Sequence, residues 1–222
     1  MDTARTNTLS TVETICSALE NDILSLRFAP GEKITEITLA ARYGASRNTL
    51  REAIAHLLSQ GLLTKVANKG VYVRKFTVAD VQEIFHLRSL LEQEAVRMIM
   101  DRDIDISAIY NLVINLESID RQKDWDAYVR EDIAFHHALV AAAGSQRLTK
   151  LYNSILTEVK LCIYQTRHYT PITKNNNITH RAVLDAITQN DPAAPALLFK
   201  HIAHVINRYC SGLIAMDHAQ KS

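Results

Sequence analysis

Cysteine is scarce in this sequence, and long apolar runs are missing. Its 222 residues include three cysteines that are odd in number and far apart: Cys16, Cys162 and Cys210. This spacing fits neither a disulfide framework nor a thiolate metal site, so we expect reduced thiols and a cytoplasmic chain. No run reaches the roughly 18 apolar residues of a membrane-spanning helix, and the polar, acid-containing N-terminus is unlike a secretory signal. We therefore expect no membrane partner.

Charge is nearly balanced over the whole chain but strongly uneven in one part. The formal net charge is +1. Between residues 42 and 75, however, seven basic residues stand against one acid, Glu52, which gives +6 in 34 residues. Such a stretch is typical either of a solvated basic face or of a surface that binds a polyanion. Charge alone does not separate the two.

Apolar periodicity and turn residues organise the first 75 residues. They predict a helix over 8–27, a turn at Pro30-Gly31, a short helix over 36–43 closed by Gly44, and a helix over 47–59 capped by Ser46. Two short strands, 62–66 and 71–75, flank a turn that contains asparagine and glycine. This order predicts a winged helix-turn-helix domain over residues 1–75.

From residue 76 onward the pattern is helical throughout. Six helices are predicted, over residues 77–100, 105–121, 124–143, 145–168, 177–190 and 192–215. Residues suited to N-caps precede four of them: Thr77, Asp124, Ser145 and Asp191. The predicted fold class is therefore mainly α, with a winged helix-turn-helix followed by an all-α six-helix bundle over residues 76–222.

The helix predicted over 47–59 has the features of a DNA recognition helix. Leu50 begins an apolar stripe on one face, while Arg47, Asn48 and Arg51 lie on the other, near the N-terminus. Arginine suits this position because its planar donor fork matches both phosphate oxygens and guanine edges. Lys69, in the turn between the strands, adds a charge for a phosphate or minor-groove contact. The alternative is an ordinary amphipathic helix with a charged outer face.

The predicted inward faces of the bundle carry polar residues that can bind metals. Asp132 and His136 are one helical turn apart, and His180 and His201 share their faces with aliphatic residues. A buried carboxylate is costly unless it is paired, protonated or bound to a metal. Three imidazoles and one carboxylate suit a borderline divalent ion and leave positions for water or a small carboxylate. The alternative is a set of ordinary core histidines.

Several residues of the N-terminal part form a recognisable pattern: Pro30-Gly31, Leu39-Ala40, Gly44, Ser46-Arg47, Arg51-Glu52-Ala53, Leu57, Gly61-Leu62, Gly70 and Val73. On these residues, the stretch 30–73 resembles the DNA-binding domain of the GntR family of bacterial transcription regulators. The resemblance implies a wing tip at Gly70 and operator contacts from Ser46, Arg47, Asn48, Thr49 and Arg51. Many members have Thr-Pro or Gly-Pro where this chain has Asn48-Thr49, which implies that different bases are read.

The C-terminal part carries a second set of marks: 88-RSLLEQEAV-96, 132-DIAFHHALVAAAG-144, 180-HRAVLDAITQND-191 and His201-Ile202. With these marks, residues 78–215 resemble the FCD effector domain of FadR-type GntR regulators. The resemblance implies one divalent ion, of zinc, nickel or manganese, held by Asp132, His136, His180 and His201. It also implies that Arg88 clamps an effector carboxylate, although a surface ion pair with Glu92 fits the spacing equally well.

These features together predict a ligand-responsive transcription regulator rather than an enzyme. We expect a repressor that binds double-stranded operator DNA as a homodimer, because one recognition helix reads only one half of a palindromic site. A metal-anchored small carboxylate would be its effector. The alternatives are a metal-dependent enzyme, since an open His/Asp site can activate water, and a metal-sensing DNA binder without an organic effector.

Overall fold

The computed structural model describes residues 11–167 and 179–219, and side chains as far as residue 215. The chain divides into two compact units, residues 1–75 and 76–222. The N-terminal unit contains α1 (Thr11–Leu24), β1 (Lys33–Ile34), α2 (Glu36–Tyr43), α3 (Arg47–Ser59), β2 (Leu63–Val66) and β3 (Gly70–Val73). The C-terminal unit contains α4 (Val78–Asp101), α5 (Ile109–Ser118), α6 (Trp125–Ala142), α7 (Gln146–Thr166), α8 (His180–Thr188) and α9 (Ala194–Ala219).

The N-terminal unit is a winged helix-turn-helix, as predicted. Gly44 ends α2 at φ +63°, a left-handed conformation that glycine adopts without the steric cost of a Cβ atom. Two residues later the Ser46 side chain caps α3 by accepting a hydrogen bond from Thr49 N. The buried face of α3 consists of Leu50, Ala53 and Leu57 and packs against α1 and α2. The C-cap of α2 and the N-cap of α3 therefore define the turn between these two helices.

The sheet of this unit has three strands, where the sequence predicted two. Strand β3 pairs antiparallel with β2 and also with the two-residue β1, in the order β1-β3-β2. Lys33 stands opposite Tyr72, and Ile34 stands opposite Val71. The predicted hairpin is present as β2 and β3, and β1 adds a third strand that was not predicted. A strand of two residues shows no alternation of its own and forms here because β3 offers a second edge.

A buried carboxylate, Asp22, ties α1 to α2. Its side chain accepts hydrogen bonds from Arg27, Arg42 and the Tyr43 hydroxyl. Its backbone carbonyl accepts from the backbone N–H groups of Arg27 and Phe28, just after the helix ends. Burial by itself would raise the pKa of Asp22, but these three side-chain donors outweigh burial and hold the pKa below its ordinary value. Asp22 therefore fixes the orientation of the helix-turn-helix on α1.

We expect Asp22→Asn to destabilise the N-terminal unit by about 1–3 kcal/mol at neutral pH, because the arginines and Tyr43 lose their charged acceptor. The lowered pKa makes the effect depend on pH. The stabilisation is fully present above the unfolded-state pKa of about 3.9 and is lost as pH falls through the still lower folded-state pKa. Urea unfolding at pH 7 and pH 3 measures this effect. The difference in unfolding free energy between Asp22→Asn and the parent should be smaller at pH 3. Glu52→Gln, which neutralises an exposed acid on α3, is the control. An equal loss of stability in that variant would contradict the role given to Asp22.

The C-terminal unit consists of the six predicted helices. The long helix α4 packs against α6, α7, α8 and α9, so side chains on its inner face reach several neighbours at once. Thr77, Asp124 and Ser145 cap α4, α6 and α7 through their side chains, as predicted. In the described part of the chain, no helix is long and apolar enough to cross a membrane.

Candidate nucleic-acid interface and metal centre

The exposed face of α3 carries the residues predicted to contact DNA. Ser46, Arg47, Asn48 and Arg51 are exposed, and Thr49 is half-buried. The Ser46 hydroxyl lies 2.9 Å from the Thr49 hydroxyl, so both are engaged in the helix cap. Arg47 and Arg51 instead extend from the first two turns of α3, whose opposite face is buried. Their positive charge stands at the end of α3 that a recognition helix presents to the major groove.

Arg51 is held in place by a carboxylate from the neighbouring helix. Its Nε donates to Glu36 Oε1 across 2.7 Å. A hydrogen bond through Nε occupies one edge of the guanidinium and leaves the two terminal nitrogens for another acceptor. Glu36, at the start of α2, thereby orients the side chain on α3.

The turn of the wing contains Lys69 and Gly70. Lys69 is exposed, and Gly70 has φ +115°, a conformation that L side chains rarely adopt. A Cβ atom at Gly70 would come within 3.1 Å of Lys33 Cε. Glycine is therefore required at the position where β3 begins next to β1, and it places the Lys69 ammonium at the end of the hairpin.

Three histidines from three helices converge in the C-terminal unit. His136 lies on α6, His180 is the first residue of α8, and His201 lies on α9. All three are buried, and one nitrogen from each lies within 4.8 Å of the others. The rings of His180 and His201 are closest, with centroids 4.4 Å apart. This group, the histidine triad, joins positions that are far apart in the sequence.

The fourth predicted ligand, Asp132, stands beside the triad. It lies one turn before His136 on α6, and its side chain is 14% exposed. Its Oδ1 is 3.1 Å from His180 Nε2, whereas Oδ2 is 3.9 Å from Arg88 Nη2. Burial raises the pKa of Asp132, but the nearby histidines and Arg88 outweigh burial, so its pKa lies well below the ordinary value. The carboxylate is therefore ionised and available as an oxygen ligand.

A second carboxylate, Glu92, lies behind the triad, and sequence reasoning did not place it there. It is fully buried on α4, and its Oε2 is 2.6 Å from His136 Nδ1. Its Oε1 accepts from Arg88 Nε at 2.8 Å and from the Tyr152 hydroxyl at 2.9 Å. Burial alone would raise the pKa of Glu92, but His136 and Arg88 outweigh it and lower the pKa to about 2. Burial and the Arg88 charge lower the pKa of His136 and outweigh the opposite effect of Glu92.

The sequence does contain a signal for Glu92. The inner face of α4 follows a continuous helical stripe of buried residues: Val81, Phe85, Arg88, Glu92, Val96 and Ile99. Arg88 and Glu92 interrupt that stripe one turn apart, and a charged pair inside an apolar stripe indicates a buried ion pair. The surface pair considered for Arg88 is thus corrected: the two residues do pair, but inside the bundle.

The donor set fits a divalent transition metal ion. His180 Nε2 is buried and forms no hydrogen bond to any residue in the described ranges, although it stands 3.1 Å from Asp132. A buried ring nitrogen without a hydrogen-bond partner is expected of a metal ligand whose ion is not bound. Nitrogens bound at about 2.1 Å lie at most about 4.2 Å apart, so small movements of the rings would bring the triad to that spacing. His204, one turn after His201, is outside the group.

Two family models match this chain. The model of the bacterial regulatory proteins of the gntR family matches residues 11–73. The FCD domain model matches residues 83–204, which is more than half of the chain. This chain belongs to the GntR family, in the group with an FCD domain. The match confirms the family that the sequence patterns indicated.

Similar proteins of the GntR family are named as regulators. The Nta operon transcriptional regulator of Aminobacter aminovorans is 32% identical over 139 residues, covering 62% of this chain and 66% of that protein. The transcriptional repressor GlaR of Escherichia coli K12 is also 32% identical over 139 residues, covering 60% and 63%. The matched region thus spans slightly less than two thirds of either relative. Neither relative is named as an enzyme.

A solved structure shares the fold over most of its length. The transcriptional regulator GntR from Rhodococcus sp. RHA1 is 25% identical, with a TM-score of 0.76 over 90% of this chain and 98% of that one. The combination of a winged helix-turn-helix with a helical FCD unit is therefore one that a related protein also adopts.

Proposed function

We propose that this GntR-family protein is a cytoplasmic transcription repressor that binds operator DNA as a homodimer. Its FCD unit would bind one divalent metal ion and, on that ion, a small carboxylate effector. The effector part of this proposal depends on the histidine triad.

The N-terminal unit supports DNA binding through charge and shape. Arg47, Asn48 and Arg51 lie exposed on a helix that is docked by its buried opposite face. Lys69 extends the positive charge to the wing. Phosphate contacts by such residues supply affinity, and side chains at the start of the helix reach base edges in the major groove. Ser46, Thr49 and Gly70 would then act by holding the helix start and the wing turn in place.

The C-terminal unit supports metal binding through its donors. His136, His180, His201 and Asp132 provide three imidazole nitrogens and one carboxylate oxygen. This set suits zinc or nickel better than manganese, which prefers more oxygen ligands. A bound ion would offer an open coordination position wherever it takes more than four ligands, as zinc does when it expands from its usual four to five.

The charge of the site supports a carboxylate as effector. Without an ion, the side chains in the described ion pairs beside the triad, Arg88, Glu92 and Asp132, together carry a net charge of −1. A divalent ion changes this to +1 in a buried setting. A single carboxylate group neutralises that charge, whereas a neutral or cationic effector would not. Arg88 donates through Nε to Glu92, so an effector would meet its terminal nitrogens.

The dimer follows from how the recognition helix reads DNA. One helix α3 spans one half-site, and a palindromic operator requires two such helices related by a twofold axis. For a carboxylate to relieve repression, it must bind more tightly to the dimer arrangement that binds DNA less well. The coupling is reciprocal, so operator DNA must weaken effector binding by the same factor.

Elemental analysis and operator titration together test this proposal. The protein is prepared without an affinity tag or added metal, and its zinc, nickel and manganese contents are measured. Duplexes selected by the protein from a random-sequence pool then serve as operator in fluorescence anisotropy titrations. We expect about one metal ion per chain, and a weakening of operator affinity of about 5- to 150-fold by one class of small carboxylic acids.

The outcomes distinguish the three functions considered. A response to metal alone, with no acid effective, would favour the metal sensor. Chemical turnover of an added acid would favour the enzyme. Absence of metal even after resupply would reduce the triad to a hydrogen-bonded polar core and end the effector proposal, while selection of a palindromic duplex would still support DNA binding.

A further inference from the structure

We propose that Glu92 is a positioning residue of the metal centre. It holds the His136 ring in the tautomer whose Nδ1 carries the proton, and so directs the Nε2 lone pair toward the ion. This inference rests on the proposed metal-binding function and adds to it a residue outside the four ligands. It also gives the buried Arg88 and Tyr152 a role, since both donate to the same carboxylate.

The contact between His136 and Glu92 defines the tautomer. His136 Nδ1 and Glu92 Oε2 are 2.6 Å apart, and both side chains are buried. Glu92 is paired with the guanidinium of Arg88, which is always charged, so its carboxylate is ionised and can only accept hydrogen bonds. The proton must therefore lie on Nδ1 of His136. That leaves Nε2 as the ring nitrogen with a free lone pair for a metal ion.

The second oxygen of Glu92 is fixed from two sides. Arg88 donates its Nε to Oε1 from the same helix, and Tyr152 donates its hydroxyl to Oε1 from α7. These donors prevent the carboxylate from rotating and reserve Oε2 for His136 on α6. Three helices thus meet at one carboxylate. A carboxylate that accepts the outer N–H of a metal-binding histidine orients the ring and raises its basicity, typically contributing 10- to 100-fold in metal affinity.

The competing explanation is that Glu92 only neutralises the buried Arg88. Both explanations predict that loss of Glu92 alone disturbs the site, because a lone buried guanidinium would remain near the ion. They differ when both charges are removed together. The double variant Arg88→Gln/Glu92→Gln removes both partners of this ion pair and keeps the net charge of the site. Asp132 loses its 3.9 Å contact with Arg88 but keeps His180 at 3.1 Å, so the variant separates orientation of His136 from the charge balance of the Arg88–Glu92 pair.

The experiment measures the affinity for zinc alone, by competition with a chromophoric chelator. We expect both Glu92→Gln and the double variant to bind zinc about 10- to 100-fold more weakly than the parent. Glu83→Gln is the matched control, because it makes the same substitution on α4 at an exposed position outside this network. Its zinc affinity should stay within about twofold to threefold of the parent. Far-UV circular dichroism verifies that each variant compared retains its helices.

A spectroscopic readout reports the tautomer directly. Long-range proton–nitrogen NMR of the metal-free protein should show His136 protonated on Nδ1 in the parent and in Glu83→Gln. In the double variant a glutamine amide at position 92 can either accept from or donate to Nδ1, so a mixture of tautomers is expected. This measurement still tests the role of Glu92 if the single variant Glu92→Gln fails to fold, because it compares the parent with the double variant.

The possible failures are distinct. If the parent does not bind zinc, the metal-binding function fails and this inference fails with it. If the parent binds zinc but the double variant binds it equally tightly and keeps the Nδ1–H tautomer, the function stands and the role of Glu92 is overturned. Glu92 would then be the counter-ion of Arg88 and nothing more.

Discussion

The His180→Ala variant is expected to lose its metal without losing its fold. His180 supplies a buried Nε2 that makes no hydrogen bond to a described residue, although Asp132 Oδ1 is 3.1 Å away. Truncation removes a ligand, and Asp132 keeps Arg88 as a neighbouring cation. We expect zinc affinity to fall by at least about 100-fold, which is more than for a substitution of a residue that only hydrogen-bonds to a ligand. The variant also gives up the edge-to-face contact of its ring with Phe135, 4.7 Å between centroids, so a modest loss of stability is expected even without metal.

His136→Ala is expected to behave differently, and the contrast tests the geometry. It removes a ligand in the same way, but it also leaves Glu92 Oε2 buried without its donor. An unsatisfied buried acceptor costs about 1–3 kcal/mol, more if charged. Metal-free His136→Ala should therefore unfold at a lower denaturant concentration than metal-free His180→Ala.

Thermal unfolding with zinc and with a chelator measures both effects. In the parent, zinc at 100 times its Kd should add about 2.7 kcal/mol of stability, and this increment should vanish in both variants. His137→Ala is the matched control: His137 is next to His136 but outside the triad, with its ring 6.3 Å from that of Tyr152. Retention of stoichiometric zinc by His180→Ala would remove His180 from the ligand set.

Much of the fold was predictable because its boundaries depend on local chemistry. Ser46, Thr77 and Ser145 each cap the helix that follows through their own side chain. Gly44 ends α2 in a conformation that other residues rarely adopt. Such signals act over a few residues and can be read without knowing the tertiary structure. Strand β1 carries no such signal, since it consists of two residues whose pairing with β3 depends on the whole domain.

The convergence of the three histidines was predictable from the sequence, but the residues that support them were not. Apolar neighbours at helical spacing placed His136, His180 and His201 on inward faces, and the structure brings all three together. Glu92 and Tyr152 were missed for a physical reason. An acid at i+4 from an arginine has the same spacing in a surface pair as in a buried one. The apolar stripe of α4 indicates that the pair is buried, but only the convergence of α4, α6 and α7 brings Glu92 against His136 and Tyr152.

Arg47→Ala is expected to weaken operator binding strongly while leaving the fold unchanged. Arg47 is exposed at the first position of α3, and the buried stripe that docks the helix does not include it. Loss of a bidentate base contact or a phosphate contact costs about 1–3 kcal/mol for each half-site. Arg130→Ala, which removes an exposed arginine from α6 in the other unit, is the matched control and should bind operator as the parent does.

The two kinds of contact differ in their dependence on salt and sequence. A phosphate contact should weaken all duplexes about equally and reduce the slope of log affinity against log salt by about one. Loss of a base contact should instead reduce the difference in affinity between the operator and a random duplex, and leave the salt slope nearly unchanged. Anisotropy titrations at several salt concentrations, with both duplexes, separate these cases. Operator affinity equal to that of the parent under all conditions would remove α3 from the DNA interface.

The same variant also tests the dimer, because each protomer carries the substitution. On a single half-site the expected loss of about 1–3 kcal/mol corresponds to about 5- to 150-fold. On a palindrome bound by two protomers the loss applies twice, so the free-energy penalty should double and the fold-change should be squared. A penalty that is the same on the half-site and on the palindrome would mean that only one recognition helix engages the DNA, which is incompatible with a symmetric dimer on its operator.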